Sequence, residues 1–110
     1  MTLEEYQNFT KSLTVYPKEG SQGLYYTCLG LCGEAGEVAN KIKKVMRDNH
    51  GFVSVEKREE LKKELGDIAW YLSQLAAELN LSLDEVFEEN VKKLTSRKER
   101  GTLQGDGDNR

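Results

Sequence analysis

Two stretches of this chain place apolar residues strictly four and three apart, and that spacing leaves few folds open. The first runs Leu24, Cys28, Leu31, Ala35, Val38, Ile42, Val45; the second runs Leu61, Leu65, Ile68, Leu72, Leu75, Leu79. At 3.6 residues per turn such a pattern draws one stripe along a helix, the seam of a bundle, whereas a half-buried strand needs alternation by two. The spacing therefore predicts long helices over about Leu24 to Arg47 and from a Ser54 N-cap to about Leu79. Asn49 to Val53 separates them.

Two shorter helices flank this pair. Thr2-x-x-Glu5 and Ser82-x-x-Glu85 are capping boxes, in which a hydroxyl and a carboxylate satisfy backbone N–H groups reciprocally. The first opens a helix to about Leu13 with Leu3, Tyr6, Phe9 and Leu13 near one face; the second opens one with Leu83, Val86, Phe87, Val91 and Leu94 that fades around Arg100. Val15 to Gly23, with Pro17, Gly20 and Gly23, is a connecting loop. The expected architecture is all-α, of four-helix bundle type. With 110 residues there is room for one domain, residues 1–100, and a Gly- and Asp-rich tail, 101–110, expected to be mobile. Ala69, Trp70 and Tyr71 fill the gaps in the second seam, so that helix is apolar nearly all round and wants covering on more than one side. One chain of four helices does not supply that cover, so the core is expected to be completed by homo-oligomerisation, most simply a dimer, with a tetramer as the alternative.

A net charge of −3 argues against a nucleic-acid binder, whose footprint would be basic. The opening MTLEEYQNF has neither a basic start nor an apolar core, and the longest apolar run is Ile68 to Leu72. Export and membrane spanning are not expected, and a cytoplasmic location is. Cys28 and Cys32 are four apart on one helix, which suits packing better than a disulfide or a zinc site. The single histidine, His50, falls in a loop.

The two long helices also echo each other. Leu31-Cys-Gly-Glu34-Ala-Gly36-Glu37-Val38 and Leu61-Lys-Lys-Glu64-Leu-Gly66-Asp67-Ile68 both read Leu-x-x-Glu-x-Gly-acid-aliphatic. Acids three apart are neighbours on a helix surface, and both pairs border their seams. Facing seams would bring Glu34, Glu37, Glu64 and Asp67 to one level. Four like charges in one place are unfavourable unless a cation joins them, and an all-oxygen donor set suits magnesium, with manganese as substitute. Gly36 and Gly66, each costing about 1 kcal/mol inside a helix, imply close approach by another backbone or a ligand. The plain alternative is a solvated face with Glu37–Lys41 and Glu60–Glu64 as surface patterning. A di-iron site fits less well, since no histidine follows these acids at the required spacing. On the last helix Asn90, Lys93 and Arg97 form one stripe beside the seam, suited to phosphate oxygens; taken alone, Lys93 is equally a surface partner of Glu89.

These motifs resemble the MazG-type nucleoside triphosphate pyrophosphohydrolases, an all-α superfamily. The likeness covers about Leu24 to Arg100 and rests on Glu34-x-x-Glu37, Glu64-x-x-Asp67, the wording Gly33-Glu34-Ala35-Gly36-Glu37-Val38 and Leu65-Gly66-Asp67-Ile68-Ala69-Trp70-Tyr71, and Asn90-x-x-Lys93-Leu94-x-x-Arg97. The resemblance implies a four-carboxylate magnesium site and cleavage of a nucleoside triphosphate to monophosphate and pyrophosphate, with Glu34 or Glu37 activating water. It also implies phosphate contacts from Asn90, Lys93 and Arg97, bundles built across a dimer, and Tyr16, Tyr25 and Tyr26 as base-stacking candidates. The chain departs from the family after Arg97, where Lys98-Glu99-Arg100 replaces the usual Arg-aromatic continuation. The alternative to a mobile tail is that Gly105-Asp106-Gly107-Asp108-Asn109-Arg110 closes over the site and contributes Arg110. Two other expectations compete with the hydrolase: a non-catalytic helical interaction module, and a metal- or nucleotide-sensing binder.

Overall fold

Both capping boxes form. Thr2 Oγ1 accepts from the Glu5 amide at 3.1 Å while a Glu5 carboxylate oxygen accepts from the Thr2 amide at 2.7 Å. Ser82 and Glu85 repeat the exchange at 3.1 and 2.8 Å, and Ser54 Oγ accepts from the Lys57 amide. In the computed structural model, which describes residues 1–110, these caps open three of four helices: α1 (Leu3–Ser12), α2 (Gln22–Asn49), α3 (Val55–Glu78) and α4 (Leu83–Glu99). There are no strands. The helix α2 ends where His50 and Gly51 adopt left-handed backbone angles, φ 51° and 81°, which reverse the chain into α3.

At 1.5 Å per residue the 28 residues of α2 span about 42 Å, close to the larger dimensions of a molecule that measures 43 × 43 × 28 Å. The helices α1 and α4 pack against α3 and against each other, and α4 does not touch α2. The radius of gyration is 17.0 Å, against about 13 Å for a compact chain of this length. No helix is long and apolar enough to cross a membrane.

This openness has a pattern. Along α2, Leu24, Leu31, Val38 and Val45, seven apart, are half-buried or buried against α3, whereas Cys28, Ala35 and Ile42, the other half of the same seam, are exposed. On α3, Leu61, Ile68, Leu72 and Leu75 are half-buried, and Leu65 and Leu79 are exposed.

The face α1 turns to the core differs from the apolar stripe expected of it. Phe9 and Leu13 are exposed, Leu3 and Tyr6 are half-buried, and the enclosed residues are Gln7 and Thr10. The reason is hydrogen bonding. Thr10 and Ser73 hydroxyls meet at 2.7 Å, and Gln7 spans the start of α4, donating to the Leu81 carbonyl at 2.9 Å and accepting from the Leu83 amide at 3.1 Å. Gln74 donates to Thr14 Oγ1, while its own Oε1 is buried without a partner. Short α1 is held by polar pairs rather than by its aromatic side.

Candidate metal and phosphate site

Antiparallel packing of α2 on α3 sets Glu34 opposite Glu64 and Asp67. One oxygen from each of the three lies within 4.8 Å of the others. Glu34 and Glu64 are half-buried and Asp67 is exposed. The Glu34 carboxyl is pushed above its ordinary value of 4.5, first by burial, then by the negative charge of Asp67 and Glu64 and a hydrogen bond that its protonated form makes with Glu64. Crowding makes the charged form of Glu34 less favourable.

Glu37, the fourth acid of the sequence motif, is exposed and stands outside this triad. It projects from the next turn of α2 and still adds its charge to the field on Glu34. The nearest cation is Lys41, whose Nζ lies 3.5 Å from Glu64 and 3.6 Å from Glu60. Sequence spacing pairs Lys41 with Glu37 along α2; the hairpin register pairs it across to α3 instead. Gly36 and Gly66 have open space where a Cβ would stand, so no neighbour within this chain accounts for them.

An aromatic group adjoins the acids. Tyr16 and Tyr26 stack at 4.9 Å and 12°, Trp70 meets Tyr16 and Tyr71 edge-on, and Tyr71 leans against Tyr26. Tyr71 lies over Gly30, where a Cβ would fall inside its ring. Its phenol is raised by burial, a hydrogen bond with Tyr26, and the nearby charges of Glu34 and Asp67. The Tyr6 phenol, on α1, is raised by burial and then by Asp67, so α1 borders the acidic site. Tyr16 donates to Glu78 at 2.9 Å, and burial followed by that contact pushes its phenol up to about 12. Of the three tyrosines considered for stacking, Tyr16 and Tyr26 are engaged with each other and Tyr25 is exposed.

The basic stripe lies elsewhere in this chain. Asn90, Lys93 and Arg97 line a cleft of about 550 Å³ along α4 whose opposite wall is Asp108, Asn109 and Arg110. No member of the acidic triad reaches it. Asn90 and Lys93 are exposed, whereas Arg97 is only 8% exposed. The segment expected from composition to be a mobile tail is tied to α4 here, a feature that Gly and Asp content conceals because the contacts are made by arginines to main-chain oxygens.

An all-helical chain with a carboxylate triad set between two antiparallel helices fits one family by comparison. Residues 22–102 match the MazG nucleotide pyrophosphohydrolase domain, and the chain belongs to that family. It is similar to the "Gene 37 protein" of Mycobacterium phage L5, with 46% identity over 114 aligned positions that take in the whole of both chains. No solved structure matches.

Proposed function

We propose that this protein hydrolyses a nucleoside triphosphate between its α- and β-phosphates, yielding monophosphate and pyrophosphate with the aid of Mg2+, Mn2+ serving in its place. The observation that carries the reading is the triad itself: three carboxylates from two helices, one oxygen of each within 4.8 Å of the others. A hard divalent ion suits such oxygen donors and replaces repulsion with attraction. When bound, it supplies charge neutralisation for the phosphate chain and lowers the pKa of coordinated water.

Glu34, Glu64 and Asp67 would hold the ion. Glu37, exposed and one turn further along α2, is assigned the proton of the attacking water, with Glu34 as the other candidate base. Lys41 would release Glu64 as the ion arrives. Asn90, Lys93 and Arg97 are assigned to the phosphates remote from the metal. Since α4 touches α3 but not α2, and the basic cleft is lined by none of the three acids, this assignment calls for a second copy. The exposed half-seam Cys28, Ala35 and Ile42 and the exposed apolar residues Phe87, Val91 and Leu94 of α4 supply matching apolar faces for a homodimer. Two exposed free cysteines suit the reducing cytoplasm.

The test is a panel of ribo- and deoxyribonucleoside triphosphates assayed for monophosphate and pyrophosphate, with and without Mg2+. Glu34→Gln and Asp67→Asn are expected to lower turnover by at least about 100-fold. Wild-type turnover in both variants would reject the site; a metal-dependent rise in Tm without turnover would leave a binder in its place.

A further inference from the structure

We propose that residues 102–110 form a strap that orients Arg97 toward a polyphosphate chain, and that Arg110, which ties the strap, is a positioning residue for that grip. The inference rests on the phosphate role assigned to Arg97 above. Its physical basis is a set of arginine contacts that composition does not suggest. The Arg110 guanidinium gathers three backbone carbonyls of its own segment: Nε donates to Thr102 at 3.2 Å, Nη1 to Gly107 at 2.8 Å and Nη2 to Leu103 at 3.0 Å. That closes the segment on itself. Two further arginines fasten it to α4, Arg97 through Nη2 to the Asp108 carbonyl and Arg100 through Nη2 to the main-chain carboxylate oxygen of Arg110 at 2.9 Å.

The acceptors of Arg97 and Arg110 are neutral backbone carbonyls, and neither arginine pairs with an Asp or Glu carboxylate, so neither charge is neutralised by a side chain. Arg97 is the most enclosed of the cleft's cations, and the Asp108 carbonyl occupies only one of its nitrogens. Its Nε and Nη1 are not among the buried unpartnered atoms, so they are open to solvent, and Arg97 lines the cleft. A planar guanidinium with one edge fixed and another open is pre-organised for bidentate contact with phosphate, because less side-chain freedom remains to be lost on binding. The cleft holds Lys93, Arg97, Arg100 and Arg110 against the acids Glu89 and Asp108, a balance that favours an anion. Gly105, at φ 114°, sets the bend that lays Arg110 back along the segment, and a Cβ there would stand 3.5 Å from Arg110 Cδ.

The experiment is calorimetric titration of inorganic triphosphate into the full chain, without divalent ions so that the acids give no help. Arg97→Ala and Arg110→Ala are each expected to weaken binding by about tenfold or more, one charge-assisted contact's worth. Arg110→Lys, which keeps the charge but cannot hold three carbonyls, should bind as poorly as Arg110→Ala. Gly105→Ala, which removes no charge, should also weaken it. Because Arg110 acts through Arg97, the double variant should lose no more than Arg97→Ala alone. Additive losses, full binding by Arg110→Ala, or rescue by Lys would overturn the strap. Wild-type protein that hydrolyses nucleotides yet shows no triphosphate binding refutes the strap alone. Binding with the expected coupling but no hydrolysis refutes the enzymatic reading alone.

Discussion

On the side of α3 that meets α1, polar groups are shut away from water: Thr10 and Ser73 are fully enclosed and bonded to each other, and Gln7 reaches across to hold the first residues of α4. On the outer side of α2 the reverse holds, with Cys28, Ala35 and Ile42 left in solvent although they continue a regular apolar seam. Hydrogen-bonding groups buried with their partners specify one arrangement and leave little room for another, while an uncovered apolar stripe specifies only that something must cover it. The chain is self-sufficient around α1 and unfinished along α2. The acids lie on the hairpin between these two regions, so one wall of the site is fixed and the other is open.

The strongest way to break this contrast is to place a charge in the open seam. Ile42→Glu would bury a carboxylate without a partner if a second copy packs there, a penalty of several kcal/mol that association would not survive. Light scattering is expected to show the wild-type mass halved, and the dependence of Tm on protein concentration to vanish. An unchanged mass would mean that α2 faces solvent after all.

The closed side should respond differently, with loss of stability and no change of mass. Thr10→Ala strands the Ser73 hydroxyl in a fully buried position and is expected to cost about 1–3 kcal/mol in denaturant unfolding. Replacing both partners, Thr10→Val with Ser73→Ala, should cost less than the two single changes added together. A neutral Thr10→Ala would remove the basis for calling this face specified by its polar pairs.

Much of this was legible beforehand, and the reasons differ by region. Helices, caps and seams follow from periodicity and from local hydrogen bonding within four residues, so α1 to α4 fall where the pattern puts them, with α2 extended by about one or two residues at each end. The meeting of Glu34 with Glu64 and Asp67 follows from facing seams, which the repeated Leu-x-x-Glu-x-Gly motif encodes. Glu37 standing apart depends on the rotation of α2 about its own axis, and no spacing rule fixes that. The polar face of α1 was hidden because Gln7 and Thr10 read as surface residues until their partners, more than sixty positions away, are known. The course of residues 101–110 is illegible for a related reason: their glycines build turns, and Arg110 spends its donors on carbonyls whose positions no spacing rule supplies.

A finer probe of the open side uses Gly36 and Gly66. Neither has a neighbour within its own chain, so in a dissociated background such as Ile42→Glu each change to Ala should stabilise its helix by about 1 kcal/mol. In the associated protein the same change should cost about 1–3 kcal/mol if a second backbone approaches these positions. Opposite signs in the two backgrounds would locate the partner at the acidic site. Stabilisation in both would place the contact elsewhere along the seam.

The smallest expected effect lies where the two regions meet, at Glu34. Its folded-state pKa is raised above 4.5, so the folded protein binds this proton more tightly than the unfolded chain does. Such a group adds to stability below the unfolded value, and the contribution is lost as pH rises through the folded value. Glu34→Gln mimics the protonated state at every pH. With divalent ions removed, the variant and wild type should therefore melt together near pH 4, and the variant should melt about 1–3 °C higher at pH 7, since a like-charged pair costs a few tenths of a kcal/mol. Added Mg2+ should reverse the order at pH 7, because the charge that repels its neighbours is the charge that holds the ion. A gap that stays constant from pH 4 to 7 would mean that Glu34 is not crowded by Glu64 and Asp67, and would separate the acids that the hairpin is inferred to bring together.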